Sequence, residues 1–380
     1  MKFLSVKVPK NNEYSYEQAF ALFSSLITKE KKRILPFLGK PPVTYSFNII
    51  SINQKIHFVI GTQPENLTHL KNQILAQYGK GEVLELESFQ GVGDINFENV
   101  DYGELVLASQ NYLPIKTMVD FGEVDPLASV LSAMSRSPDP NSLYWLQIIL
   151  TPANPKWQKN AMQRISSISA SEIVSTKMQT ESSMISEKLK YNAFNTNIRV
   201  ITNSKGSTLE LLNAFTVFQN PSGNKLFLKN PNIITRNKLL KSIQLHHPYG
   251  TKSLLNTLEL STLWHMPGGD INIPNIAWGK RLQLDPPENL PVATTEMAKE
   301  AKDEITFLGK TNYKNREHIF GIKKADRLRH AYIVGKTGTG KSALIVNMEV
   351  EDIRKGNGVA VLDPHGDAIA DIINYIPKNR

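Results

Sequence analysis

The run TYSFNIISINQKIHFVIG, residues 44–61, decides the reading of the N-terminal half of the chain. Its aromatic and β-branched residues fall into two segments, 44–52 and 55–61. The second places Ile56, Phe58 and Ile60 at alternate positions, the period that puts one set of side chains on one face of a strand. Only Asn53-Gln54 separates them, so the pair predicts a hairpin with a tight turn. On the N-terminal side, Tyr16 to Thr28 carries Ala19, Phe20, Leu22, Phe23 and Leu26 at helical spacing, and residues 3–8 alternate as a strand. On the C-terminal side, Pro64 opens a helical stretch through Leu67, Leu70, Ile74, Leu75 and Tyr78. Proline suits that first turn, where its missing N–H would have no acceptor. A Gly79-Lys80-Gly81 breaker precedes a strand at Val83 to Leu86. Residues 1–90 thus read βαββαβ, the split-βαβ or ferredoxin-like plan.

The same order recurs over 100–230. Strands are expected at 102–109, 143–150, 195–203 and 224–229, with helices at 125–136 and 206–218. Between the middle strands, residues 155–191 carry Trp157, Met162, Ile165, Ile168, Ile173, Met178, Ile185 and Leu189 at near-helical intervals. They read as one or two amphipathic helices inserted into a second ferredoxin-like unit, with core packing as the role of the apolar stripe. Residues 231–310 read as a connector with one short helix, Leu254 to Leu263. Pro286-Pro287 marks the boundary before a last region, 311–380.

The chain has 380 residues and no cysteine. Disulfides and thiolate metal sites are therefore excluded. Hydrophobic residues make up 41% and charged residues 21%, so a packed globular protein is expected rather than a disordered one. The formal net charge of +9 suits a basic surface and a polyanion partner equally. No apolar run approaches the roughly 20 residues that span a bilayer. The N-terminus lacks the apolar core of a signal peptide. A cytoplasmic location follows as the default, with a peripheral place at the inner face of a membrane left open.

Chemistry is concentrated near the end. His330-Ala331-Tyr332-Ile333-Val334 is followed by Gly335-Lys336-Thr337-Gly338-Thr339-Gly340-Lys341-Ser342, then by Ala343 and an apolar helical stretch. This is G-x-x-x-x-G-K-[ST] with a strand expected before it and a helix after it. Glycines let several backbone N–H groups converge on one phosphate chain. A helix start adds its positive dipole end. Lys341 is expected to reach the β and γ phosphates of ATP, and the Ser342 hydroxyl to ligate Mg2+. Residues 335–343 are the expected nucleotide contacts. Val359-Ala360-Val361-Leu362 reads as a buried parallel strand ending at Asp363-Pro364-His365-Gly366-Asp367. Asp363 is then placed either to meet magnesium or to cap the helix that follows. His365 reads as a turn residue. Arg327 and Arg329 read as surface or subunit-contact residues.

Gly335 stands only 45 residues before position 380. A hydrolysing α/β domain needs about 150 residues, so the expectation is a truncated or split product, or a fold completed by another chain. The motif at 335–342 and the run Gly358 to Asp367 resemble the HerA/FtsK group of DNA-translocating ATPases. They are most similar to the coupling-protein ATPases of type IV secretion and conjugation. Phe320-Gly321-Ile322, Asp326 to His330, and Leu260 to Pro267 resemble that branch as well. The resemblance implies a RecA-like P-loop domain begun at 311–380, with Lys341 and Asp363 in catalytic roles and Ser342 and Asp363 on the metal. It also implies a homo-oligomeric ring that moves DNA or a nucleoprotein, at a membrane secretion complex. The alternatives are a non-hydrolysing scaffold with an incomplete nucleotide site and, further off, a small-molecule kinase.

Overall fold

The computed structural model describes residues 1–27, 42–136, 139, 141–279, 287, 289–293, 303–311 and 318–379. They form two compact units, Met1–Leu282 and Gln283–Arg380. The protein is mixed α+β, and its larger unit is organised by one antiparallel sheet.

The hairpin is where the sequence puts it. Strand β2 (Tyr45–Ile52) pairs with β3 (Lys55–Thr62). Asn53 and Gln54 both take positive φ, 50° and 56°, as a two-residue hairpin turn of the primed type requires. Around it lie β1 (Lys2–Lys7), α1 (Tyr16–Ser25), α2 (Leu67–Gln77) and β4 (Glu82–Leu86). Helix α1 starts with a capping box: the Ser15 side chain accepts from the helix, and Gln18 Oε1 accepts from the Ser15 N–H at 2.8 Å. Position 28, the expected end of α1, lies outside the described residues. The second half supplies β5 (Asp101–Leu107), α3 (Leu127–Ser135), β6 (Tyr144–Pro152), α4 (Lys156–Ser169), α5 (Thr176–Leu189), β7 (Ala193–Thr202), α6 (Lys205–Ala214) and β8 (Leu226–Lys229).

The strands run in the order β4-β1-β3-β2-β6-β7-β5-β8. The two halves join where β2 pairs antiparallel with β6, Phe47 opposite Ile148. One face carries the main core, in which Leu4, Phe23, Phe47, Ile60, Ile74, Leu131, Leu146, Phe194 and Leu211 are all buried. The other face buries Phe3, Ile50, Val59, Trp145 and Ile201 under residues 89–100 and helix α7 (Ile233–Gln244).

Residues 231–279 are not a connector. Helix α7 lays Leu239 and Ile243 on the second face. The expected helix over 254–263 begins instead as β9 (Ser253–Asn256), which pairs with β7. Helix α8 (Thr257–Leu263) follows, and Trp264 enters the main core. Leu254 and Leu255 therefore serve a strand, because Asn256 caps the helix through a box with Glu259. The extended run 275–279 then returns to the first half, with Ile56 N–H donating to Asn275 O at 2.8 Å and Gly279 N–H to Val8 O at 2.9 Å. Pro286 of the expected boundary lies outside the described residues.

The smaller unit contains β10 (Val292–Ala293), β11 (Ile305–Lys310) and β12 (Ile319–Lys323) in an antiparallel sheet ordered β10-β12-β11. Among the described residues its helices are α9 (Lys324–Arg327), α10 (Lys341–Arg354) and α11 (Asp367–Ile373). Val346 and Val350 of α10 pack on Ile372 of α11, with Val361 against them. Arg327 pairs with Asp352 at 2.7 Å and donates to Thr306 Oγ1 at 2.8 Å. It is thus an internal tie of this unit. The strands expected at 330–334 and 359–362 do not form a ladder. Tyr332 is 92% exposed and Leu362 98%. An apolar run becomes a strand only by pairing, and no described strand lies beside either segment.

Candidate nucleotide site

The segment 335–342 leads directly into α10, a helix of 14 residues. Gly338 and Gly340 sit at φ 78° and 89°, and a Cβ at either would meet nothing within 4 Å. Their constraint is therefore backbone conformation and not space. Gly335 is constrained differently: a Cβ there would stand 2.6 Å from Thr339 Oγ1. The loop is drawn together by one acceptor, the Lys336 carbonyl. It accepts from Thr339 Oγ1 at 2.7 Å, from Thr339 N at 3.3 Å and from Lys341 Nζ at 2.9 Å.

Gly340 caps α10 without a side chain, and the first ladder bond is Leu344 N–H to Gly340 O at 3.0 Å. The N–H groups of Lys341, Ser342 and Ala343 thus have no intrahelical acceptor. Ser342 and Ala343 are exposed, as are residues 335–340. Uncapped N–H groups, a positive helix end and an ammonium at the same turn suit a phosphate group. The residues present therefore fit the triphosphate of ATP. Ser342 offers an exposed hydroxyl for a magnesium ion, which would shield phosphate charge. Among the described residues no group of three or more His, Cys, Asp or Glu side chains could hold a metal ion.

The structure brings Gly335, Lys336, Thr339 and Lys341 together, with Thr337 exposed between them. Asp363 lies just before α11. Its Oδ1 accepts from the His365 N–H at 3.1 Å and its Oδ2 from the Ala368 N–H at 2.8 Å. These bonds, the His365 one foremost, hold its carboxyl below the usual carboxylate range. The N-cap of α11 is Gly366, and the Asp363 side chain reaches the first turn of that helix through the Ala368 N–H, while His365 is exposed.

Buried polar groups in the larger unit were not foreseen from the sequence. Lys188 and Glu259 form an ion pair at 3.1 Å with both side chains at 0% exposure. His265 Nε2 stands 2.8 Å from Asp125 Oδ2. Burial raises the Asp125 carboxyl, but the hydrogen bond and the proximity of His265 outweigh it and the net shift is downward. Arg199, on β7, is buried and held down to about 10 by desolvation. His246, just after α7, lies against Phe3, Phe89 and Trp145. The capping pattern Asn256-x-x-Glu259 was the only local signal for any of these.

None of the curated proteins matches the chain. Residues 1–279 match the family described as Domain of unknown function (DUF8128), and the chain belongs to that family.

Proposed function

We propose that residues 335–343 bind ATP with Mg2+, and that the chain is the nucleotide-binding part of a DNA-translocating motor of the conjugation or type IV secretion kind. The observation that carries the reading is the loop itself. Two left-handed glycines turn it into an uncapped helix start beside the Lys341 ammonium. In this reading Lys341 holds the β and γ phosphates, Ser342 takes the metal, and the bound metal supplies charge neutralisation at the phosphates. The resemblance of 320–380 to the HerA/FtsK group supplies the motor, the ring and the nucleic-acid cargo. The finer fold belongs to the same proposal. The sheet halves β4-β1-β3-β2 and β6-β7-β5-β8 are read as two ferredoxin-like units, and 311–380 as the start of a RecA-like domain.

A scaffold role without turnover is the second reading, favoured by the unpaired segments 330–334 and 359–362 and by the capping role of Asp363. ATP hydrolysis by the full chain, with and without double-stranded DNA, separates the two. DNA-stimulated phosphate release that is lost in Lys341→Ala supports the motor. Nucleotide binding with no release under either condition supports the scaffold.

A further inference from the structure

From Leu211 to Leu258 the chain holds no aspartate or glutamate, while Lys225, Lys229, Arg236, Lys238, Lys241 and Lys252 all fall within that span. The formal net charge of the whole chain is +9, so much of its excess is concentrated here. All six cations are exposed. The fold puts β8 and α7 to work on one side of the sheet. In the β5–β8 ladder, Lys229 stands opposite Glu104 and Phe227 opposite Val106. Tyr102 shares the face of Glu104 by alternation, and its hydroxyl donates to Arg236 O, in α7, at 3.0 Å. Lys229 Nζ donates to Thr251 Oγ1 at 2.9 Å, next to Lys252.

Helix α7 is held firmly. Asn232 Oδ1 accepts from the Thr235 N–H at 2.8 Å at its start, and Leu239 and Ile243 anchor it on the sheet's second face. Its opposite side is a single stripe. Ile234, Lys238, Lys241 and the cap residue Leu245 recur at i, i+4, i+7 and i+11, and all four are exposed. Ile233 stands beside the first of them. Ile233 is 94% exposed and Ile234 80%, so a capped helical turn displays two adjacent isoleucines to water. A carboxylate, Glu98, lines a cleft with Arg236, whose guanidinium lies 5.5 Å from the Tyr102 ring centroid. Arg236 is thereby on the flank of α7 turned to the sheet, and lysine supplies the only charge on the stripe.

We propose that this outward side of α7 docks on an anionic lipid bilayer, with Ile233 and Ile234 entering the boundary between headgroups and acyl chains and Lys238 and Lys241 reaching the headgroup anions. Aliphatic side chains beside lysines on a fixed helix suit that interface. The isoleucines leave water, and the lysine stems lie along apolar matter while their ammonium groups stay among the headgroups. Charge complementarity selects the lipid class, because a stripe with cations and no carboxylate is drawn to anionic lipids. A nucleic acid would engage the lysines but leave the isoleucines idle, since bases stack on aromatic side chains and the stripe has none.

The test uses the full chain in co-sedimentation with vesicles of phosphatidylcholine alone and with vesicles in which about one-third of the lipid is phosphatidylserine. The expected result is about tenfold or greater preference for the anionic vesicles, weakening as salt rises from about 0.1 to 0.5 M. Ile233→Ser with Ile234→Ser keeps the helix propensity and is expected to lower that binding by about tenfold. Lys238→Ala with Lys241→Ala is expected to remove most of the preference. Because the chain has no cysteine, Ile233→Cys offers a single thiol for a polarity-sensitive fluorophore. Its emission is expected to shift to the blue on anionic vesicles and to stay unchanged with double-stranded DNA. Equal binding to the two vesicle types, no binding at millimolar lipid, binding that survives the isoleucine pair, or an unshifted fluorophore overturns the proposal. DNA binding that is lost in the lysine pair while vesicles stay unbound assigns the surface to nucleic acid and overturns it too. If a paired variant fails to fold, the wild-type preference and the fluorophore shift decide the matter alone.

Discussion

The Lys341 ammonium donates to the main-chain oxygen of Lys336 at 2.9 Å, across the loop that links them. The side chain of the first residue of α10 is thereby held against the loop. A phosphate arriving there exchanges one neutral acceptor for charged oxygens, and charge-assisted bonds are about twice as strong. Lys341→Ala is therefore expected to weaken ATP binding by about tenfold or more while leaving thermal stability nearly unchanged. Lys341→Arg is expected to restore little, because its broader planar head does not fit the same position. Equilibrium titration with a fluorescent ATP analogue checks both.

The glycines separate conformation from crowding. Gly340→Ala puts a side chain where φ is 89° but where there is room. It costs about 1–2 kcal/mol of backbone energy, or leads the loop to relax to another shape. Gly335→Ala meets Thr339 Oγ1, and pairing it with Thr339→Ala relieves the contact. Nucleotide affinity is expected to fall in Gly340→Ala and in Gly335→Ala, and to recover in part only in the double variant with Thr339→Ala. Affinity measured for these variants beside the wild type tests this.

The order of the first 230 residues was legible because it rests on local periodicity. The hairpin turn, the apolar spacing of α1 and the two long strands β6 and β7 all declare themselves within a dozen residues. Residues 231–263 were not legible for the opposite reason. Helix α7 buries Leu239 and Ile243 but leaves Ile233 and Ile234 exposed, so it shows no clean apolar stripe. Strand β9 has four residues and pairs with a strand some 60 positions earlier. The buried Arg199 sits in an alternating strand, where a charged residue reads as solvent-facing. Only the sheet's second covering layer changes that. At 330–334 and 359–362 the apolar runs were correctly seen, but strand formation depends on neighbours that no single run encodes. The glycine-rich turn at 335–340 and the helix after it follow from local residues alone, whereas the ties of Arg327 to Asp352 and Thr306 needed the folded unit.

Asp363 offers a way to separate capping from metal binding. Asparagine keeps an acceptor for the His365 or Ala368 N–H but has no charge. Asp363→Asn is expected to leave the melting temperature within about 2 °C and to reduce the gain in ATP affinity on adding Mg2+. An unchanged magnesium effect assigns Asp363 to capping alone.

The buried pair Lys188–Glu259 predicts an asymmetric response. Lys188→Met leaves Glu259 buried without its cation, a loss of about 3–5 kcal/mol. Its two backbone bonds, from Ile115 N at 3.0 Å and Asn256 N at 2.9 Å, favour the lower end. Adding Glu259→Gln removes the stranded charge and is expected to regain most of the loss. Thermal denaturation of the single and double variants checks the order.

Acid should destabilise the larger unit through its histidines. Burial, aided by Arg199, Met1 and His247, pushes His246 down to about 3 from 6.5. Burial with Lys7 and Lys55 pushes His57 to about 4. With the folded value below the unfolded one, the unfolded chain takes the proton first as pH falls. The stabilisation is full above about 6.5 and is lost progressively toward 3, at no more than about 1.4 kcal/mol per pH unit for His246. Melting temperature is expected to fall between pH 7 and pH 4.5, with a smaller slope in His246→Gly.

Isothermal titration of the full chain with Mg-ATP tests the central claim most directly. The account predicts saturable heat with one nucleotide per chain, absent or at least about tenfold weaker in Lys341→Ala. A folded chain that gives no heat with Mg-ATP in large excess, or binds it equally well without Lys341, contradicts it.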